Sequence, residues 1–390
     1  MRKNIFLGIW VISIFIFISC KDTPDVTPNS TYLVSYTLVN EISKDKLVES
    51  LTPLMGSQAA LFVRSGVKQY KIIYKTTNTD GTSIQASGAL VVPSSTSKNS
   101  LSLISYQHGT ITDDALAPSN FSSSGEGTIA SLIATLGYIV IAPEYVGYGV
   151  SKQIPHPYEH RMGLAKPCYD FLKAFQELIK QESGIQWNQK TYLTGYSEGG
   201  YATLSLQKLI EEDAAKSINL SAVTCGAGAY NKTATFRYFA ENPSIGEAQH
   251  NASYIWVLKT YNRIYGLNKP MNYYFKEPYA SQIEQNNSDI SGDFRSLLTD
   301  TFREKILNNS DAEFAKIISD NDVYDWKPLT PTQLYHGTSD SYVPYLNTET
   351  AFNAMKKRGG NVSLISIDKG THSSSIQAYL LGTFTFFNNF

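Results

Sequence analysis

A chain of 390 residues with 42% hydrophobic and 17% charged positions holds enough apolar material for a substantial core and too little charge for a disordered polymer. Its 33 Lys+Arg balance 34 Asp+Glu to a formal charge of -1, which excludes long-range attraction to nucleic acid or acidic polymers. The length exceeds a single small core and suits one large α/β domain carrying an insertion.

Arg2 and Lys3 precede an apolar run from Ile5 to Ile18, shorter than the roughly 20 residues that span a bilayer. Residues 1–19 therefore read as a signal peptide. Cys20 after Ser19 resembles the lipobox of bacterial lipoproteins, whose cysteine is diacylated and becomes the mature N-terminus. Phe17 and Ile18 depart from that pattern, so plain cleavage or retention as a signal anchor are the alternatives. Lys21 and Asp22 resemble the short charged export tag of bacterial surface lipoproteins. The expectation is a cell-envelope lipoprotein, periplasmic or on the outer membrane or cell surface, held to the membrane by lipid on Cys20. Pro24 and Pro28 in a polar stretch make residues 20–30 a lipidated N-terminus and tether. Cys168 and Cys225 remain beyond it, and export would permit them to pair, while two buried free thiols fit the sequence equally well.

Two β-rich runs, Tyr70 to Thr76 and Ile84 to Val92, flank the turn residues Asn78-Thr79-Asp80-Gly81 and predict a hairpin that opens the sheet. Short apolar runs follow, as in parallel strands buried on both faces: Leu101 to Tyr106, Tyr138 to Ala142, Thr191 to Thr194, Leu220 to Thr224, Thr332 to Tyr335 and Val362 to Ile367. Helical periodicity lies between them, with Ile129, Leu132, Ile133 and Leu136 before Gly137, and Leu206, Leu209 and Ile210 after Gly199-Gly200. The alternation predicts an α/β protein with an open, mostly parallel sheet flanked by helices. From about Tyr230 to Trp326 it stops, and aromatics from Phe236 to Tyr279 crowd the first half of the segment. Residues 31–229 and 327–390 then form one core, and 230–326 a largely helical cap or lid.

Gly195-Tyr196-Ser197-Glu198-Gly199-Gly200 joins an apolar strand to an amphipathic helix. A serine on such a sharp turn needs flanking glycines, Gly195 and Gly199, because side chains there would collide. A hydrolytic serine needs a base, and the base an orienting carboxylate. Asp340, just beyond a buried strand, and His372, after the last strand, follow Ser197 in the order serine, acid, histidine. Asp368 is the rival acid, although it shares a loop with the histidine. For the oxyanion, the amides of Glu198 and Thr110 are expected as donors, with Gly109 permitting the turn and His108 holding it by hydrogen bonds.

Ser105-Tyr106-Gln107-His108-Gly109-Thr110, the run Gly137 to Gly149 containing Ala142-Pro143-Glu144-Tyr145, His156-Pro157-Tyr158, the Ser197 turn and His336 to Asp340 together resemble bacterial α/β-hydrolases related to the secretory lipases. The resemblance runs from about Ser65 to the C-terminus. It implies the α/β-hydrolase fold and a cofactor-free carboxylic-ester hydrolase with a lid over an acyl pocket, acting on a small-molecule or lipid ester. Glu144 stands where that family usually has Asp, and Glu198 is uncommon after the nucleophile. His156, Glu159 and His160 have the H-x-x-E-H spacing of a zinc helix, but Pro155 and Pro157 and the family's loop at this point favour a pocket-entrance loop, and no metal is expected. The rival functions are a prolyl-type serine peptidase and a non-catalytic surface binding module on the same fold.

Overall fold

A computed structural model describes residues 30–94, 100–182 and 184–390; the signal segment and Cys20 lie outside them. Among the described residues nine strands form one sheet: β1 (Leu33–Ile42), β2 (Val67–Thr77), β3 (Ser83–Pro93), β4 (Leu101–Gln107), β5 (Ile139–Pro143), β6 (Trp187–Tyr196), β7 (Leu220–Gly226), β8 (Thr332–Gly337) and β9 (Val362–Ile367). Their spatial order is β1-β2-β3-β5-β4-β6-β7-β8-β9. The pairings β1 with β2, β2 with β3 and β3 with β5 are antiparallel, and the rest are parallel. β5 is buried at every residue, which is why it reads as a continuous apolar run and not as an alternation.

The sheet opens one strand earlier than the predicted hairpin. β1 has only Leu33 and Tyr36 buried, and its register against β2 shifts twice, between Leu33 and Ser35 and between Leu38 and Asn40. Such irregularities break the period of two by which a strand is recognised in sequence.

Helices α1 (Lys44–Met55) and α2 (Ala59–Phe62) follow β1, and α3 (Glu126–Thr135), α4 (Arg161–Gln181) and α5 (Glu198–Glu212) connect the central strands. Gly137, just past α3, has φ of 100°, the left-handed conformation that lets a helix end there. Seven helices separate β7 from β8: α6 (Lys232–Glu241), α7 (Ala248–Ile264), α8 (Met271–Tyr274), α9 (Tyr279–Glu284), α10 (Phe294–Leu297), α11 (Asp300–Asn308) and α12 (Ala312–Asp320). The aromatics of this segment are divided between two tasks. Tyr274, Phe275 and Phe302 are buried in a core of the segment's own with Phe239, Ile255 and Phe314, whereas Trp256 stacks on Tyr158 of the β5–α4 loop with ring centroids 4.3 Å apart. Finally α13 (Leu346–Lys357) and α14 (Ile376–Phe387) close the alternation.

Cys168, on α4, and Cys225, on β7, are both buried free thiols, and burial pushes both well above the usual thiol range. They pack in the main core as small apolar groups.

Candidate active site

Strand β4 lies between β5 and β6, so the connections leaving the carboxyl ends of β4 and β6 emerge side by side where the strand order reverses. Open α/β sheets form their ligand crevice at such a point. The register pairs Gln107 with Gly195, which sets the His108-Gly109-Thr110 turn beside the Ser197 turn. Two strands further along, β8 and β9 end at Gly337 and Ile367, and the loops beyond carry Asp340 and His372.

Ser197 stands between β6 and α5 with φ 61° and ψ −125°, a conformation that non-glycine residues adopt only when their surroundings impose it. Its N–H donates to the Gly226 carbonyl of β7 at 2.9 Å. Close backbone contact explains the glycines. A Cβ on Gly195 would lie 2.3 Å from the Gly199 carbonyl oxygen, and one on Gly199 would lie 2.1 Å from that of Gln107. At Gly109 the nearest atom to an added Cβ would be the Tyr196 oxygen at 3.6 Å, so crowding does not demand glycine in that turn.

Ser197 Oγ is 2.9 Å from His372 Nε2, and His372 Nδ1 is 2.6 Å from Asp340 Oδ2. A carboxylate only accepts, so Nδ1 carries the proton and Nε2 is left to accept from the serine hydroxyl. The Tyr196 hydroxyl donates to the His372 carbonyl at 2.6 Å and ties the histidine loop to the serine turn. Asp340 is 7% exposed; its Oδ1 accepts the N–H groups of Tyr342 and Val343, both at 2.9 Å. His336 Nε2 lies 3.2 Å from Oδ2. Burial alone would raise the Asp340 pKa, but hydrogen bonds from His336 and His372 hold this carboxyl well below the usual carboxylate range. Asp368 is exposed at the end of β9 and does not meet His372.

No acceptor among the described residues takes the N–H of Thr110 or of Glu198, the first residue of α5. Two free amides, one from each adjacent turn, are the parts from which an anion site is built. Thr110 Oγ1 is fixed by the Tyr158 hydroxyl at 3.0 Å. His108 is fully buried, with Nδ1 2.7 Å from the Gly109 carbonyl, and its own carbonyl accepts from the Tyr145 hydroxyl at 2.9 Å.

The sequence pattern assigns Glu198 only a backbone role, yet its side chain is 2% exposed and Oε1 is 2.8 Å from His156 Nε2. The Val146 carbonyl, 2.7 Å from His156 Nδ1, accepts the proton there, so the other proton of the pair lies between imidazole and carboxyl. The residues of the H-x-x-E-H spacing thus go separate ways. His156 meets Glu198, Glu159 pairs with the buried Lys232, and His160 Nδ1 caps α4 by accepting the Gly163 N–H at 3.0 Å. Burial pushes the His160 pKa down to about 4, which keeps it a neutral acceptor. Glu144 is buried with no cation against it among the described residues and accepts from Ser87, Ser119 and the Ser119 N–H. In the sequence, Glu144 in place of the family's usual Asp and Glu198, uncommon after the nucleophile, are the signals of these two buried carboxylates, and nothing marks the Lys232–Glu159 pair.

Two cavities meet at Ser197. One is narrow and mostly apolar, with about 590 Å³ of empty space including its open mouth, and is walled by Phe236, Phe239, Tyr254, Val257 and Phe294 from the helical segment and by Tyr158 and Tyr342. The other is a broad groove of about 1990 Å³ on the same measure, lined by Thr110, His156, Trp256, Asn262 and Arg263 among others. The first is walled mostly by apolar side chains, the second by a more mixed set.

The fold is that of the α/β-hydrolases. A Legionella pneumophila protein described as a hydrolase superposes with a TM-score of 0.81 at 25% identity, over 92% of this chain and 98% of its own. The rice cell wall degrading esterase LipA of Xanthomonas oryzae gives 0.75 at 22% identity, over 91% and 95%. Candida antarctica lipase A in its closed state gives 0.61 at 15%, over 88% and 78%. The sequence finds no match among curated proteins. Residues 121–377, well over half of the chain, match the secretory lipase family, and the chain belongs to it.

Proposed function

We propose that the protein is a carboxylic-ester hydrolase working through an acyl-enzyme on Ser197. The observation that carries this reading is the continuous hydrogen-bonded chain from Ser197 Oγ through His372 to Asp340, at 2.9 and 2.6 Å, opening where the two cavities meet. Ser197 attacks the ester carbonyl while His372 takes its proton, and Asp340 holds the imidazole in the required tautomer and stabilises its cation. The Thr110 and Glu198 amides receive the oxyanion. His372 returns the proton to the departing alcohol, and a water activated by the same imidazole releases the acid. A panel of p-nitrophenyl esters from acetate to palmitate, run beside a prolyl amide, tests the reading. Ester turnover with negligible amide cleavage is expected; the reverse would establish a peptidase, and no turnover would leave a binding module.

Residues 230–326 act as the cap that supplies the acyl pocket, a role supported by the eight cavity-lining residues from this segment. Val257→Phe adds bulk to that wall, so kcat/KM for an octanoyl ester should fall by ~10-fold or more while the acetyl ester changes by no more than ~3-fold. An equal loss on both esters would contradict an acyl-binding role.

The family's secretory character supports export, and among the described residues no helix is long and apolar enough to cross a membrane. Lipid on Cys20 would then be the anchor. Cys20→Ser should move the protein from the membrane to the soluble fraction with hydrolysis intact; persistence on membranes after a salt wash would remove the anchor from Cys20.

A further inference from the structure

The apolar cavity contains a charged pair that the mechanism does not use. Lys232, the first residue of α6, is 1% exposed; its Nζ meets Glu159 Oε2 and lies 4.1 Å from the Tyr201 ring centroid. Glu159, in the β5–α4 loop, is 8% exposed, and both residues line the cavity together with Ser197.

A buried ion pair is tolerated when further hydrogen bonds satisfy its remaining lone pairs. Here Lys232 meets Glu159 Oε2, while Oε1 takes no donor among the described residues and is left accessible. Burial pushes the Glu159 carboxyl up from the usual carboxylate range while Lys232 opposes the shift. The wall's own hydroxyls are engaged elsewhere: Tyr158 with Thr110, Tyr254 with the Tyr342 carbonyl, and Tyr342 with Ser253. An alkyl chain filling this cavity would cover the open oxygen without bonding it. A hydroxyl on the acyl group would complete the shell, and an aromatic ring carrying that hydroxyl would lie against Phe236 and Phe239.

We propose that Glu159 and Lys232 form the polar end of an acyl site for hydroxyaryl acyl groups, with the substrate O–H donating to Glu159. The inference deepens the ester-hydrolase reading and rests on it. The test compares the wild-type protein on methyl 3-(4-hydroxyphenyl)propanoate and methyl 3-phenylpropanoate, with p-nitrophenyl acetate as control. A site built to bond a hydroxyl rejects the analogue lacking it, and the expected preference in kcat/KM is ~10-fold or more for the hydroxylated ester. In the variant Glu159→Leu/Lys232→Leu, which leaves neither charge unpaired, the ratio should fall to one or below, since an unpartnered hydroxyl then enters an apolar wall. A wild-type ratio at or below one, or a preference that survives the double substitution, overturns the proposal while leaving ester hydrolysis standing. Failure to hydrolyse all three esters overturns the hydrolase reading, and this inference with it.

Discussion

Ser197→Ala is expected to lower kcat/KM for ester hydrolysis by at least ~10³-fold, leaving only what binding and the amide donors contribute. The fold should be untouched. The lost hydroxyl has His372 as its hydrogen-bonding partner, while the N–H that anchors the turn to Gly226 belongs to the backbone and remains. The strained φ of 61° is imposed by packing around Gly195 and Gly199, and alanine meets the same constraint as serine. An unchanged melting temperature with collapsed activity is therefore the predicted pair of results, and near-wild-type turnover would remove the nucleophile assignment.

The second large effect is expected at Asp340. In Asp340→Asn the Oδ1 position can still accept the Tyr342 and Val343 N–H groups, so the loop keeps its shape. The other position becomes an NH₂ facing His372 Nδ1, which favours the tautomer with its proton on Nε2. That nitrogen then cannot accept from Ser197, and kcat should fall by ~10³ to 10⁴-fold. Asp368→Asn, exposed and away from His372, should change kcat by less than ~2-fold. The reverse ranking would reassign the acid. Because Asp340 is held well below the usual carboxylate range, its protonation does not set the acid limb of the wild-type pH–rate profile.

Much of this arrangement was legible in the sequence because it is local. The runs at Leu101 and Val362 became β4 and β9, and the glycines around Ser197 announced a turn that tolerates no Cβ. What escaped is non-local or irregular. β1 hid behind two register shifts, and an alternating pattern is the one signal an edge strand gives. Glu198 and His156 are 42 positions apart, and Lys232 and Glu159 are 73 apart. A charge buried by a distant partner looks in sequence like a solvated one, since nothing in its own neighbourhood records the pairing. The aromatic segment reads as a cover, but composition does not say which rings face a core and which a cavity; that division appears once α6 and α7 are set against the Tyr158 loop.

The most direct test of the central claim is titration of the wild-type protein with an alkyl fluorophosphonate, following residual esterase activity and intact mass together and locating the adduct by peptide mapping. Covalent capture at Ser197, with activity falling in proportion to one equivalent of label and no adduct in Ser197→Ala, is the predicted result. Full esterase activity in protein labelled to completion at Ser197, or an inactivating adduct on any other residue, would contradict it.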